Sequence, residues 1–273
     1  MPAESILRFE RVNLHFGATP ALVDVSFGLG PGETRIVLGA AGSGKTTLLK
    51  AAIGLVKPDS GHIFLFGQDV TTLTETQLFD LRAKTGMLFQ EGGLFDSMTV
   101  GDNVAYPLVN QPALNRGHQL RFADVMDRVR EALRFVELEH TVDKFPAELS
   151  GGMRRRVGIA RAVATEPPLV LYDSPTAGLD PITANTIVAL ILKERDTRNT
   201  AAIMVTHRYQ DGHLMANFRY NPNSGQVEPA ARNGAGGCLK TEFLVMNEGR
   251  LVFEGSQMEL KASRDPYIRK FVK

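Results

Sequence analysis

The sequence predicts an α/β fold built around a parallel sheet, and three observations carry that prediction. Gly39-Ala40-Ala41-Gly42-Ser43-Gly44-Lys45-Thr46 satisfies G-x-x-x-x-G-K-[ST], with a strand pattern before it (35–38) and a helix-forming run after it (46–53). Residues 169–172 and 201–205 are short and almost wholly apolar, as expected of central strands covered on both faces. Between them, 182–198 reads as a crossover helix. Strands separated by helices, with a glycine-rich loop at a strand's carboxyl end, imply an open parallel sheet.

The remaining elements follow in order. Strand patterns cover 6–16, 22–29, 35–38, 62–66 and 86–89, and helix patterns cover 74–84 and 121–137. After 201–205 comes a stretch rich in Asn, Gly and Pro, residues 217–240. Within it, 218–227 reads as a hairpin closed at Asn223-Ser224-Gly225, and 232–237 as a flexible surface loop. A strand pattern resumes at 243–251.

Composition narrows the function classes. With 273 residues the chain holds one large α/β domain with an inserted lobe. Lys and Arg number 31 against 30 Asp and Glu, a formal net charge of +1, so no bulk positive field recruits nucleic acid or anionic lipid. Residues 1–5 lack a basic, apolar leader and no apolar run approaches a membrane span, so a cytoplasmic location is expected. The single cysteine, Cys238, permits no internal disulfide and reads as an incidental loop residue.

The chemistry of residues 39–46 follows from the residue types. Small residues let successive backbone N–H groups turn inward around phosphate oxygens, and the next helix points its positive end at the same anion. Lys45 then sits on the β- and γ-phosphates and Thr46 on Mg²⁺.

The same polypeptide carries Leu149-Ser150-Gly151-Gly152-Met153. On this pair of motifs the chain resembles the ATP-binding cassette ATPases over nearly its whole length. The resemblance implies a P-loop NTPase-type parallel sheet core with an antiparallel N-terminal β region and an inserted helical subdomain. It places the nucleotide-binding core at 1–90 and 166–255, the helical signature lobe at 91–165, a loop insertion at 217–240 and a helical tail at 256–273. The cofactors it implies are ATP and Mg²⁺.

It also assigns roles by position. Phe16 matches an aromatic that stacks on adenine; without the alignment it is one more buried strand aromatic. Gly39 to Thr46, with Thr47, form the phosphate cradle. Gln90 matches a glutamine that reaches Mg²⁺ and the attacking water. Asp173 matches a carboxylate that holds Mg²⁺ through water, although a lone Asp at a strand end is usually a helix cap. Asp180 matches a loop that communicates across a dimer, and His207 a γ-phosphate sensor. Ser150, Gly151 and Gly152, the start of another helix, close over the nucleotide of a second subunit in that family; in isolation Ser150 would be a simple N-cap. The basic run Arg154-Arg155-Arg156 reads as a solvated helix face and is assigned no function.

One position departs from the pattern. After the metal-holding Asp the family places a glutamate that polarises water, whereas this chain reads Tyr172-Asp173-Ser174-Pro175. A serine hydroxyl orients water but has no accessible anion to take its proton near neutral pH. ATP binding is expected and efficient hydrolysis is not.

The implied partners are a second copy of the chain, paired head to tail, and a separate integral-membrane permease at the inner face of the cell membrane. Residues 89–100, 103–108, 180–183 and 265–271 look like the ATPases of bacterial Mla/Mce-type lipid-trafficking transporters, which adds a lipid substrate and an Mce-type lipid-binding protein to the expectation. The competing readings are an importer ATPase for small solutes, an ATP-gated binding module with little hydrolysis, and a soluble non-transport cassette protein.

Overall fold

The computed structural model describes residues 5–110, 121–230 and 240–272. In chain order the strands and helices begin with β1 (Leu7–Phe16), β2 (Thr19–Leu29), β3 (Thr34–Gly39), α1 (Lys45–Ala52), β4 (Ser60–Leu65) and β5 (Gln68–Asp69). Next come α2 (Glu75–Ala83), β6 (Thr85–Leu88), α3 (Val100–Asn110), α4 (Phe122–Phe135), α5 (Gly151–Val163), β7 (Leu169–Asp173), α6 (Pro181–Arg198) and β8 (Ala201–Thr206). The described chain closes with α7 (Tyr209–Asn217), β9 (Phe218–Asn221), β10 (Gln226–Pro229), β11 (Thr241–Asn247), β12 (Arg250–Gly255), α8 (Gln257–Ala262) and α9 (Pro266–Arg269).

The central sheet runs β12-β11-β3-β8-β7-β6, parallel from β11 to β6, with β12 antiparallel at its edge. A second, antiparallel sheet runs β2-β1-β4-β5, as expected for the N-terminal region. Strands β3, β7 and β8 are buried along their whole length because both sheet faces are covered. Their side chains alternate between two cores. Ile36, Leu38, Val170, Tyr172 and Met204 face the core shared with α3 to α6. Val37, Leu171, Ile203 and Val205 face the core shared with the antiparallel sheet and α1.

Local sequence accounts for the helices. Thr74 and Gln77 form a reciprocal capping box on α2, and Asp180 caps α6. Helix α4 buries Val125, Val129, Ala132 and Leu133 as one stripe. Helix α3 has no bounds in the sequence pattern because Pro107 lies inside it, where a helix interior normally excludes proline. Burial of Val100, Val104 and Leu108 on one face holds it in place.

The hairpin expected at 218–227 forms as β9 and β10, closed by a turn in which Gly225 takes φ +70°. It is docked on α6. Arg195 donates to Phe218 O at 3.0 Å, and Tyr220 N donates to Asp196 at 2.6 Å. The loop expected at 232–237 and Cys238 lie outside the described residues. Among the described residues no helix is long and apolar enough to cross a membrane.

Candidate functional site

The glycine-rich loop leaves β3 at Gly39, where neighbouring atoms stand close to the backbone. A Cβ on Gly39 would stand 2.5 Å from Ser43 Oγ and 2.6 Å from Met246 O, so glycine is required there. Gly44 takes φ +100°, and a Cβ on it would overlap the carbonyl of Ala21. The β1–β2 hairpin can thus press directly on the loop. Lys45 Nζ donates to Gly39 O at 2.9 Å, Ala40 O at 2.7 Å and Ser43 Oγ at 3.2 Å. Burial holds its ammonium below the usual lysine range, partly offset by the nearby Asp173 carboxylate.

A cleft of about 670 Å³ opens over this loop, a volume in the range of small-molecule sites. Phe16, Ala41, Gly42, Gly44, Lys45, Thr46, Thr47, Gln90, Ser174 and His207 line it, together with Thr19, Pro20, Ala21 and Ala177. Phe16 is 54% exposed, so it is a platform at the mouth of the cleft and not a core aromatic. Gly39, Ala40 and Ser43 support the loop from behind. The β1–β2 residues were missed in the sequence because Thr19, Pro20 and Ala21 carry no motif; only the glycine requirement at 44 hints at their approach.

Asp173 is 3% exposed at the end of β7, where no helix begins for it to cap. It accepts from Thr46 Oγ1 at 3.2 Å. Mg²⁺ takes a few hard protein oxygens and keeps waters and phosphate oxygens, and this hydroxyl–carboxylate pair suits it. No cluster of three or more His, Cys, Asp or Glu among the described residues offers a fuller cage. Ser174 sits in a left-handed turn at φ +49°, unusual for a non-glycine residue. Its N–H donates to Val205 O at 3.0 Å and its hydroxyl to Asp173 at 3.3 Å.

Two arrangements behind the cleft have no sequence signature. Asp211, 1% exposed, accepts from Thr176 Oγ1 at 2.5 Å and Thr206 Oγ1 at 2.8 Å. It thereby joins the loop after Ser174 to the strand end that carries His207. The basic run 154–156 is not a solvated face. Arg154 donates to Leu149 O, Arg156 to Val136 O, and Arg155, 5% exposed, to Pro175 O at 2.8 Å. These arginines satisfy backbone carbonyls that the helix and loop ends leave open.

Ser150, Gly151, Gly152 and Asp180 lie outside the main cleft. Ser150 caps α5 by accepting from Met153 N at 3.2 Å, and Gly151 is exposed beside it. Gly152 is packed so closely on the start of α6 that a Cβ would stand 2.6 Å from Thr183 Cγ2. Asp180 accepts from the N–H groups of Ile182 and Thr183. Gly151 and Gln90 share a second cleft of about 530 Å³ with Gly178 and Arg155.

Comparison with known proteins agrees with this geometry. The sequence model described as "ABC transporter" matches residues 22–177. The methionine import ATP-binding protein MetN of Rhizobium etli is 39% identical over 76% of this chain and 56% of its own length. The probable ribonucleotide transport ATP-binding protein mkl of Mycobacterium leprae is 36% identical over 76% of this chain and 58% of its own. The chain thus spans little more than half the length of these curated relatives. Among solved structures, the post-hydrolysis dimer of the ATP-binding cassette MJ0796 with ADP and Pi is 26% identical, with a TM-score of 0.73 over 92% of this chain and 98% of that one. The matched segment holds the phosphate loop, the Ser-Gly-Gly helix start and the Asp173 strand end, and the chain belongs to the ABC transporter family as an ATP-binding cassette.

Proposed function

We propose that this chain is the ATPase cassette of a membrane transporter, binding ATP with Mg²⁺ and turning it over slowly as a head-to-tail homodimer. The observation that carries the reading is a division of labour within one chain. The phosphate loop, Phe16, Gln90, Ser174 and His207 converge on one cleft, while the start of α5 stays outside it with Gly151 exposed. A helix N-terminus of this kind suits a phosphate, and its place outside the phosphate-loop cleft supports its use on the nucleotide of a second chain.

In this reading Phe16 stacks on adenine, Lys45 holds the β- and γ-phosphates, and Thr46 with Asp173 holds Mg²⁺, which neutralises developing charge on the phosphates. Gln90 and His207 orient the attacking water. Ser174 donates a hydrogen bond but accepts no proton, so positioning and electrostatics supply the catalysis that remains. A missing general base slows the step by about 10²–10⁴-fold.

A largely apolar groove of about 390 Å³ lies between the segment 53–89 and the lobe 91–165, lined by Leu55, Met87 and Phe89 from the first and Phe95, Tyr106 and Pro107 from the second, among others. It supports docking of a permease's cytoplasmic helix and a peripheral position on the inner membrane face. The resemblance of 89–100 and 265–271 to Mla/Mce-type ATPases supports a lipid cargo handled with an Mce-type protein. The names of the relatives, methionine and ribonucleotide transport, favour a second reading as a small-solute importer.

Steady-state phosphate release from purified protein tests the core of the proposal, with Lys45→Ala as background. Slow release above that background, accompanied by ATP-dependent dimerisation, is expected. Release no greater than that of Lys45→Ala, with dimers still forming on ATP, would leave the ATP-gated module standing instead.

A further inference from the structure

Strand β3 ends at Gly39, and the next N–H, that of Ala40, leaves the sheet ladder without a strand partner. A backbone donor in that position needs another acceptor. It donates to Tyr267 Oη at 3.2 Å, across a sequence separation of 227 residues. The same hydroxyl donates to Met246 O at 2.9 Å, the last residue of β11 paired with β3. One phenol thus joins the end of β3, the end of β11 and the first peptide of the phosphate loop.

Tyr267 is itself well held. Asp265 caps α9 by accepting from Tyr267 N at 2.7 Å. Ile268, 3% exposed, anchors the helix in the core, and Phe271 packs edge-on to the Tyr267 ring at 5.2 Å. The hydroxyl therefore arrives at Ala40 with little freedom left.

The consequence lies in one peptide plane. The N–H of Ala40 and the carbonyl of Gly39 belong to the same planar unit. Tyr267 holds its N–H side, and Lys45 Nζ sits on its carbonyl side at 2.9 Å. Rotation of that plane moves the carbonyl that aims the lysine. We infer that Tyr267 is a positioning residue for nucleotide binding, fixing the peptide on which Lys45 is aimed at the phosphates. The inference rests on the nucleotide reading above and extends it to a segment outside the matched family region.

Tyr267→Phe removes the hydroxyl and keeps the ring packing. Loss of a hydrogen bond of this kind is expected to raise the Kd for both ATP and ADP by about 2–13-fold. It is also expected to raise KM for ATP in phosphate release while leaving kcat within about twofold. Met246 O loses its donor in this variant, so the unfolding midpoint without nucleotide should fall modestly; raised Kd and KM with kcat kept within about twofold separate positioning from a general loss of structure. A Kd equal to or below that of wild type overturns the inference, as does a fall in kcat as large as the rise in Kd. Lys45→Ala distinguishes the two levels. Wild type that binds no better than Lys45→Ala overturns the nucleotide reading and this inference together, whereas good wild-type binding shared by Tyr267→Phe overturns this inference alone.

Discussion

Arg155 Nη1 donates to Pro175 O at 2.8 Å and reaches Ser174 O at 3.4 Å, which ties the helix that begins at the Ser-Gly-Gly motif to the turn that carries Ser174. In the proposed dimer, movement of α5 against a partner's nucleotide would thereby be felt at the turn that carries Ser174. Arg155→Met keeps the aliphatic stem and strands the two carbonyls. A buried unpaired acceptor costs about 1–3 kcal/mol, so the unfolding midpoint should drop and phosphate release should fall by about tenfold. Thermal unfolding and a release assay, run side by side, check both; an unchanged rate would show that the contact is only structural.

Ser174→Glu should raise phosphate release. The substitution puts a carboxylate where the family pattern has one, at the cleft wall and one residue after Asp173. A positioned general base is worth about 10²–10⁴-fold, and Lys45→Ala in the same background should return the rate to baseline. A rate that stays flat would show that proton acceptance is not the limiting feature of this site.

Phe16→Ala should weaken ATP binding by about 2–13-fold, the range expected for an aromatic stacking contact. Affinity for inorganic tripolyphosphate should stay the same, because the hydrogen bonds that hold Lys45 in the phosphate loop run to Gly39, Ala40 and Ser43 and do not involve Phe16. Competition titrations with both ligands read this out. Equal weakening of the two would argue that Phe16 shapes the loop and not the base pocket.

The imidazole of His213 links α7 to α8. Gln257 Nε2 at 2.9 Å and Asn217 Nδ2 at 3.2 Å both face its Nδ1, which serves as an acceptor in the neutral ring. Burial, with a smaller contribution from Lys261, holds its pKa below the usual histidine value. The folded protein therefore takes up this proton less readily than the unfolded chain. The stability it contributes is present above a pH of about 6.5 and is lost as pH falls through the lowered folded value. Unfolding midpoints measured between about pH 8 and pH 5 should fall more steeply for wild type than for His213→Gln. Parallel slopes would exclude the histidine.

Legibility in the sequence followed the range of the interactions. The phosphate loop was readable because its residues act within one turn of chain, and the central strands because burial on both faces leaves a continuous apolar run. The basic run at 154–156 was misread because a string of charges reports polarity and says nothing of carbonyls such as Pro175 O brought alongside by folding. Helix α3 lost its bounds to Pro107. The Asp211 node joins Thr176 and Thr206 from three separate elements, and Tyr267 meets Ala40 across almost the whole chain, so neither leaves a local pattern.

Strand β3 draws its two neighbours from the far side of the sequence, since β8 begins at Ala201 and β11 at Thr241. A ribosome therefore makes the phosphate loop early and the walls that shape it late. Until β11 emerges, Met246 cannot press on Gly39, and the strand beneath the loop lacks one of its two ladders. Non-local pairing of this kind also makes the final assembly slow. ATP therefore meets its complete site only once β11 is in place, and its presence during refolding should favour the last step over the earlier ones.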